Sequence, residues 1–118
     1  MSALLIATIA CVVANASIAV VDYTRAEFVV TNSAQVHVPA WAVPYLATVK
    51  LAGAIGLVVG LTAFAWLGVA AAIGLVLFFI GAVIAHLRAS VYYNIAFPGL
   101  YLLLAIAATV FMLRHATG

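Results

Sequence analysis

Charge is the scarcest thing in this chain. Its 118 residues include four Lys or Arg and two Asp or Glu, 5% of the total. Ordinary soluble domains carry about 25% charged residues, so these side chains cannot cover a water-exposed surface of normal composition. The same scarcity excludes nucleic acid as a partner, because binding phosphates needs clustered basic side chains. Cysteine is nearly missing too. Cys11 stands alone in an apolar run, which rules out an intrachain disulfide or a Cys-x-x-Cys redox pair and reads as a small buried hydrophobe. No Ser-His-Asp set, glycine-rich phosphate loop or paired-carboxylate motif occurs. No His, Cys or carboxylate pair has the i, i+3 or i, i+4 spacing of a helical metal site, so no metal is expected.

What is present is apolar: 70% of the residues are hydrophobic and the mean hydropathy is +1.41. A helix crosses the ~30 Å hydrocarbon core with roughly 20 apolar residues. The pattern therefore predicts an all-α integral membrane four-helix bundle, forming a single transmembrane domain over residues 1–118. The helices are expected at about 2–21, 41–64, 69–87 and 95–113, with a long connection over 22–40. Ala14-Asn15-Ala16 has the look of a signal-peptide cleavage site. No Lys or Arg precedes the run, however, so the segment is read as a retained helix.

The connection over 22–40 turns polar and β-branched, and its Val36, His37, Val38 alternation suits a short extended segment or an interfacial loop. Trp41, Tyr45, Trp66, Tyr92 and Tyr93 are amphipathic aromatics of the kind that mark membrane interfaces. Pro44 and Pro98 fit first helical turns, where a missing N–H costs nothing. A turn is expected around Ala65 to Gly68. Gly56 and Gly60 have the spacing that lets helices approach closely, and Gly74 with Gly81 reads as a second packing face.

Four spans put Asp22, Arg25, Glu27, His37, Lys50, His86 and Arg88 in the same half of the membrane. Ionisable groups there are costly and turn toward the bundle or a water-filled cavity. Arg25 is placed to pair with Asp22 or Glu27. Lys50 lies about 9 Å along its helix from Pro44, shallow enough to snorkel. It is read first as snorkelling or paired with Glu27 or Asp22, and otherwise as facing a ligand or handling protons. His86 finds a partner in Asn94, Tyr92 or a backbone carbonyl, or turns inward as a site residue, whereas Arg88 reads as an interfacial anchor. Asp22, Glu27, His37, Lys50, His86 and Arg88 are thus the ligand-binding candidates. A haem would want two histidines on facing helices, and the positions of His37, His86 and His115 argue against one. Basic residues counted by side favour cytoplasmic loops and outward termini.

Val43-Pro44-Tyr45-Leu46 leads into Lys50-Leu51-Ala52-Gly53-Ala54-Ile55-Gly56-Leu57 and Gly60. Leu67-Gly68, Gly74-Leu75 and Gly81-Ala82-Val83-Ile84-Ala85-His86-Leu87-Arg88 follow. Over its last three helices the chain resembles the DoxX-like family of small four-helix bacterial membrane proteins. Members often carry an acidic residue after the His-x-Arg ending, where this chain has Ala89-Ser90-Val91. A charge partner for Arg88 is then either missing or supplied by Asp22 or Glu27. The resemblance implies a bacterial inner (cytoplasmic) membrane and a link to quinone and thiosulfate oxidation.

Three functions are compatible with these residues. The first is an accessory or ligand-binding subunit, with a polar site in one half of the bundle. Its partners would be the lipid bilayer, a lipid-like or quinone ligand, and a homo-oligomer or larger membrane complex. The second is a quinone-linked membrane oxidoreductase component. There Lys50 and His86 would bind a quinone carbonyl or relay protons, and a partner would supply the electron carrier. The third is a small transporter. It ranks last, because the multidrug type relies on a carboxylate deep in the first helix, where this chain has only Asn15.

Overall fold

A computed structural model describes residues 2–24 and 26–118 of the chain. Arg25, and with it the expected pairing to Asp22 or Glu27, lies outside the described residues. All regular structure among them is helical: α1 (Ala3–Tyr23), α2 (Glu27–Gln35), a 3-10 turn (Ala40–Ala42), α3 (Val43–Thr62), α4 (Ala65–Arg88) and α5 (Ala96–Thr117). Helices α1, α3, α4 and α5 are long and apolar enough to cross a membrane. Large apolar side chains such as Ile6, Val13, Ile55, Leu77 and Leu103 cover their outer faces. That exterior is stable against lipid and would not be stable against water. This is an integral membrane protein.

The four long helices close in the ring order α1, α3, α4, α5, each packed on its two neighbours. Every one buries a stripe repeating at three- and four-residue steps. In α1 it is Thr8, Cys11, Asn15, Ile18 and Asp22; in α3 Val43, Ala47, Lys50, Ala54 and Leu57. In α4 the stripe runs Gly68, Ala72, Leu75, Phe79, Ala82 and His86, and in α5 Pro98, Tyr101, Ala105, Ala108 and Met112. A 3.5-residue period of this kind belongs to helices crossing at a shallow left-handed angle.

Packing is dense in only one half. Cys11, Leu57, Val69, Ala72, Leu75, Phe79, Ala105, Ala108 and Met112 form the core. Most of them lie toward the end where the chain begins and α5 stops, with Phe79 at the boundary between the two halves. There the glycines bring backbones together: a Cβ on Gly60 would overlap the backbone of Gly68, and one on Gly56 would lie 2.6 Å from Ala71 Cβ. Gly74 and Gly81 do not form the expected packing face. A Cβ at either meets nothing within 4 Å. Gly74 lies about 100° round α4 from the buried Leu75, and the 74, 81, 88 stripe is exposed.

Three boundaries differ from expectation. Residues 65–68 form the first turn of α4 instead of a loop, because Gly68 serves close approach to Gly60 and Ala63 with Phe64 suffices for the reversal. Helix α5 continues past Leu113, placing Arg114 and His115 in its last turn, where cations complement the helix dipole. The connection over 22–40 holds α2, with Val29 buried beneath it. Its polar, β-branched composition disfavours a helix, but burial of one face outweighs that weak preference.

Helices α2 and α4 end alike. After α2, the N–H of His37 bonds to Ala34 O (3.1 Å) and that of Val38 to Ser33 O (2.8 Å). After α4, Ser90 N–H bonds to Leu87 O (3.2 Å) and Val91 N–H to His86 O (2.9 Å). Both are Schellman closures, whose pivot takes the left-handed conformation normally given to glycine. Here the pivots are His37 (φ 66) and Ser90 (φ 56).

Candidate functional site

The half of the bundle that the core does not fill holds a partly open cavity of about 430 Å³. Its wall is built from the continuing inner stripes: Ile18 and Asp22 from α1, Leu46 and Lys50 from α3, Phe78, Phe79, Ala82, Ala85 and His86 from α4. The approach to α5 adds Asn94, Phe97, Pro98 and Tyr101. Helix α2 lies across the mouth with Phe28, Val29, Asn32 and Ser33. The floor is the junction with the core, where the rings of Phe79 and Tyr101 meet at a tilt of 50° with centroids 5.3 Å apart. The Tyr101 hydroxyl donates to Ala14 O (3.3 Å), fastening α5 to α1.

Lys50 Nζ donates to Asp22 Oδ2 at 2.8 Å, and the two side chains are only 16% and 6% exposed. This is the one ion pair among the described residues. Lys50 therefore does not snorkel away from the bundle. Its ammonium also lies 5.7 Å from the Phe78 ring centroid, an attractive cation–π arrangement. Asp22 occupies the last turn of α1, where the helix dipole disfavours an anion, and Lys50 offsets that penalty. Beside the pair, Tyr23 donates to Thr48 Oγ1 (2.7 Å), since the Thr48 proton is already given to Pro44 O (2.9 Å).

His86 satisfies Nδ1 against Ala82 O at 2.9 Å. A carbonyl only accepts, so Nδ1 carries a proton, and in the neutral ring Nε2 keeps the lone pair. Asn94 is buried, at 8% exposure, and its Oδ1 has no partner. An unpaired buried acceptor costs free energy, and this oxygen presents almost no surface to the cavity. The cavity thus combines aromatic and aliphatic walls, a charge-neutral ion pair, an imidazole and an amide side chain.

Of the sequence candidates, Asp22, Lys50 and His86 meet at one cavity. Glu27, His37 and Arg88 are exposed and are not on its wall. Arg88 takes no carboxylate partner among the described residues; of the two acids that could serve it, Asp22 is held by Lys50 and Glu27 is exposed. Reading the sequence left out Tyr101, Phe78, Phe79 and Phe97, and considered Asn94 only as a partner for His86. The signal for Asn94 and Tyr101 was available. Extending the Met112, Ala108, Ala105 spacing backward through α5 gives Tyr101, Pro98 and Asn94 in turn.

A model of the DoxX-like family matches residues 6–108, which takes in all of α1 to α4 but its first residues and half of α5. No curated protein and no solved structure matches the chain.

Proposed function

This chain belongs to the DoxX-like family, and from that premise we propose that it is an accessory or ligand-binding membrane subunit that holds a lipid-like molecule in the hollow half of its bundle. The observation that carries the reading is the cavity. Its volume of about 430 Å³ falls within the few hundred Å³ usual for small-molecule sites, and it has their composition of apolar walls with a few polar groups. A tail would lie against Phe78, Phe79 and Phe97, and a polar headgroup would meet His86, Asn94 and the Lys50–Asp22 pair. The reading assigns the protein to a bacterial cytoplasmic membrane, within a homo-oligomer or larger membrane complex.

The test is extraction and mass spectrometry of small molecules retained by the purified protein, compared with Ala82→Trp, which fills the cavity from α4. A retained amphiphile in the parent that disappears from an equally well-folded variant is the expected result. An empty parent, or equal retention in both, would overturn the reading.

One observation favours a quinone-linked component as the second reading. The lone pair at His86 Nε2, the Lys50 N–H groups and several aromatic rings line the same wall, and a quinone ring needs such partners at its oxygens. A partner protein would supply the electron carrier. Quinone-dependent turnover unchanged in both Lys50→Ala and His86→Ala would dispose of it.

A further inference from the structure

The cavity's charge arithmetic says more about its occupant than its shape does. Among the described residues, one carboxylate and one ammonium lie on the wall, and they neutralise each other at 2.8 Å. Glu27, Arg88 and Arg114 are exposed elsewhere. An anionic headgroup entering this space would have to take Lys50 from Asp22 or remain uncompensated. The first leaves a carboxylate that is 6% exposed without its partner, and the second buries a new charge; both are unfavourable. A cationic headgroup faces the mirror-image conflict at Asp22. An uncharged hydroxyl faces neither. It can donate to the unpartnered Nε2 of His86 on the cavity wall and leave the ion pair intact.

We propose that Asp22 is a specificity-determining residue: by neutralising Lys50 it makes the cavity a site for uncharged, hydroxyl-bearing amphiphiles and excludes anionic ones of the same length. The inference rests on the ligand-cavity reading above and names its ligand class. Lys50 is in this sense a latent anion site, silenced by its neighbour. Removing the carboxylate while keeping the ammonium should unmask it.

Dodecanol and dodecanoate differ only in their headgroup and make a matched pair of probes. Equilibrium binding of each, radiolabelled, is measured to the detergent-solubilised full chain at pH 8.5, where dodecanoate is ionised. The parent should bind dodecanol at least tenfold more tightly than dodecanoate. Asp22→Asn should bring dodecanoate up by at least tenfold and reverse the order. The double variant Asp22→Asn/Lys50→Met, which buries no charge at this position, should restore the preference for dodecanol. The inference is overturned if the parent binds dodecanoate as well as dodecanol, if Asp22→Asn leaves the ratio unchanged, or if the double variant still prefers dodecanoate. Should Asp22→Asn fail to give monodisperse protein, the parent ratio and the double variant decide. Binding of neither probe to the parent overturns the ligand-cavity reading and this inference with it, whereas binding of both alike overturns this inference alone.

Discussion

At the scale of single residues, His37 and Ser90 show how little a side chain's chemistry says when its backbone is the point. Histidine in a polar stretch near a membrane surface invites a functional reading. In the structure His37 is exposed and closes α2 with φ of 66. The left-handed conformation costs an L-residue roughly 1 kcal/mol that glycine does not pay. His37→Gly and Ser90→Gly are therefore each expected to raise stability by about 0.5–1 kcal/mol, net of the greater freedom glycine gains when unfolded. Thermal unfolding in detergent would register this as a higher midpoint; a fall at either position would contradict the assigned closure. Lys50, by contrast, was readable. A cation six residues into a helix needs an anion or the interface, and Asp22 was one of two acids close enough.

At the scale of elements, glycine spacing misled where the period of the whole stripe would not have. Gly74, Gly81 and Arg88 are seven apart and share a face, but it is the exposed one. The buried face of α4 repeats in alternating steps of four and three from Gly68 to His86, and it carries His86 inward. Projecting the same steps through α1, α3 and α5 gathers Asp22, Lys50 and Asn94 with it. Most of the polar wall was thus legible as the membrane-surface end of four inner stripes. What stayed hidden was α2, since a nine-residue helix of weak propensity exists only by packing on its neighbours. Two substitutions separate the glycine faces. Gly60→Ala forces α3 from α4 and should destabilise by about 1–3 kcal/mol. Gly74→Ala meets open space and should be neutral or stabilising by up to about 1 kcal/mol. Denaturant-dependent unfolding of both variants checks the contrast, and equal effects would refute it. Helix α2 has its own test. Tyr93 donates to Gln35 Oε1 at 2.6 Å, with Asn32 Oδ1 3.2 Å away, joining α2 to the connection before α5. Tyr93→Phe should speed amide exchange over residues 27–35 and leave the four long helices unchanged. Unaltered exchange there would mean that α2 is held by burial alone.

At the scale of the whole molecule, the bundle divides into a filled half and a hollow half. Leu75 seats in the notch left by Gly53 at 1% exposure. Leu75→Ala should then cost about 2–5 kcal/mol, the range for emptying a packed site. Ala82→Trp, at the cavity, should change the unfolding midpoint little while abolishing ligand retention. Comparable losses of stability in both variants would mean that the hollow half is packed in solution. The four-helix membrane architecture was legible because a scarcity of charge and runs of about 20 apolar residues leave few alternatives. The cavity was less so. Its volume depends on which inner positions stay small, and Ala82 and Ala85 look in sequence like any other alanines of a membrane helix.

A cavity confined to one half of the bundle lies at the depth of one leaflet. Amphiphiles resident in the opposite leaflet reach it only after flipping, and a charged headgroup crosses the hydrocarbon at a high cost. An uncharged one crosses far more readily. If the cavity holds an amphiphile as proposed, a neutral wall would match it to molecules that both leaflets can supply, and its occupancy would follow the composition of the whole bilayer.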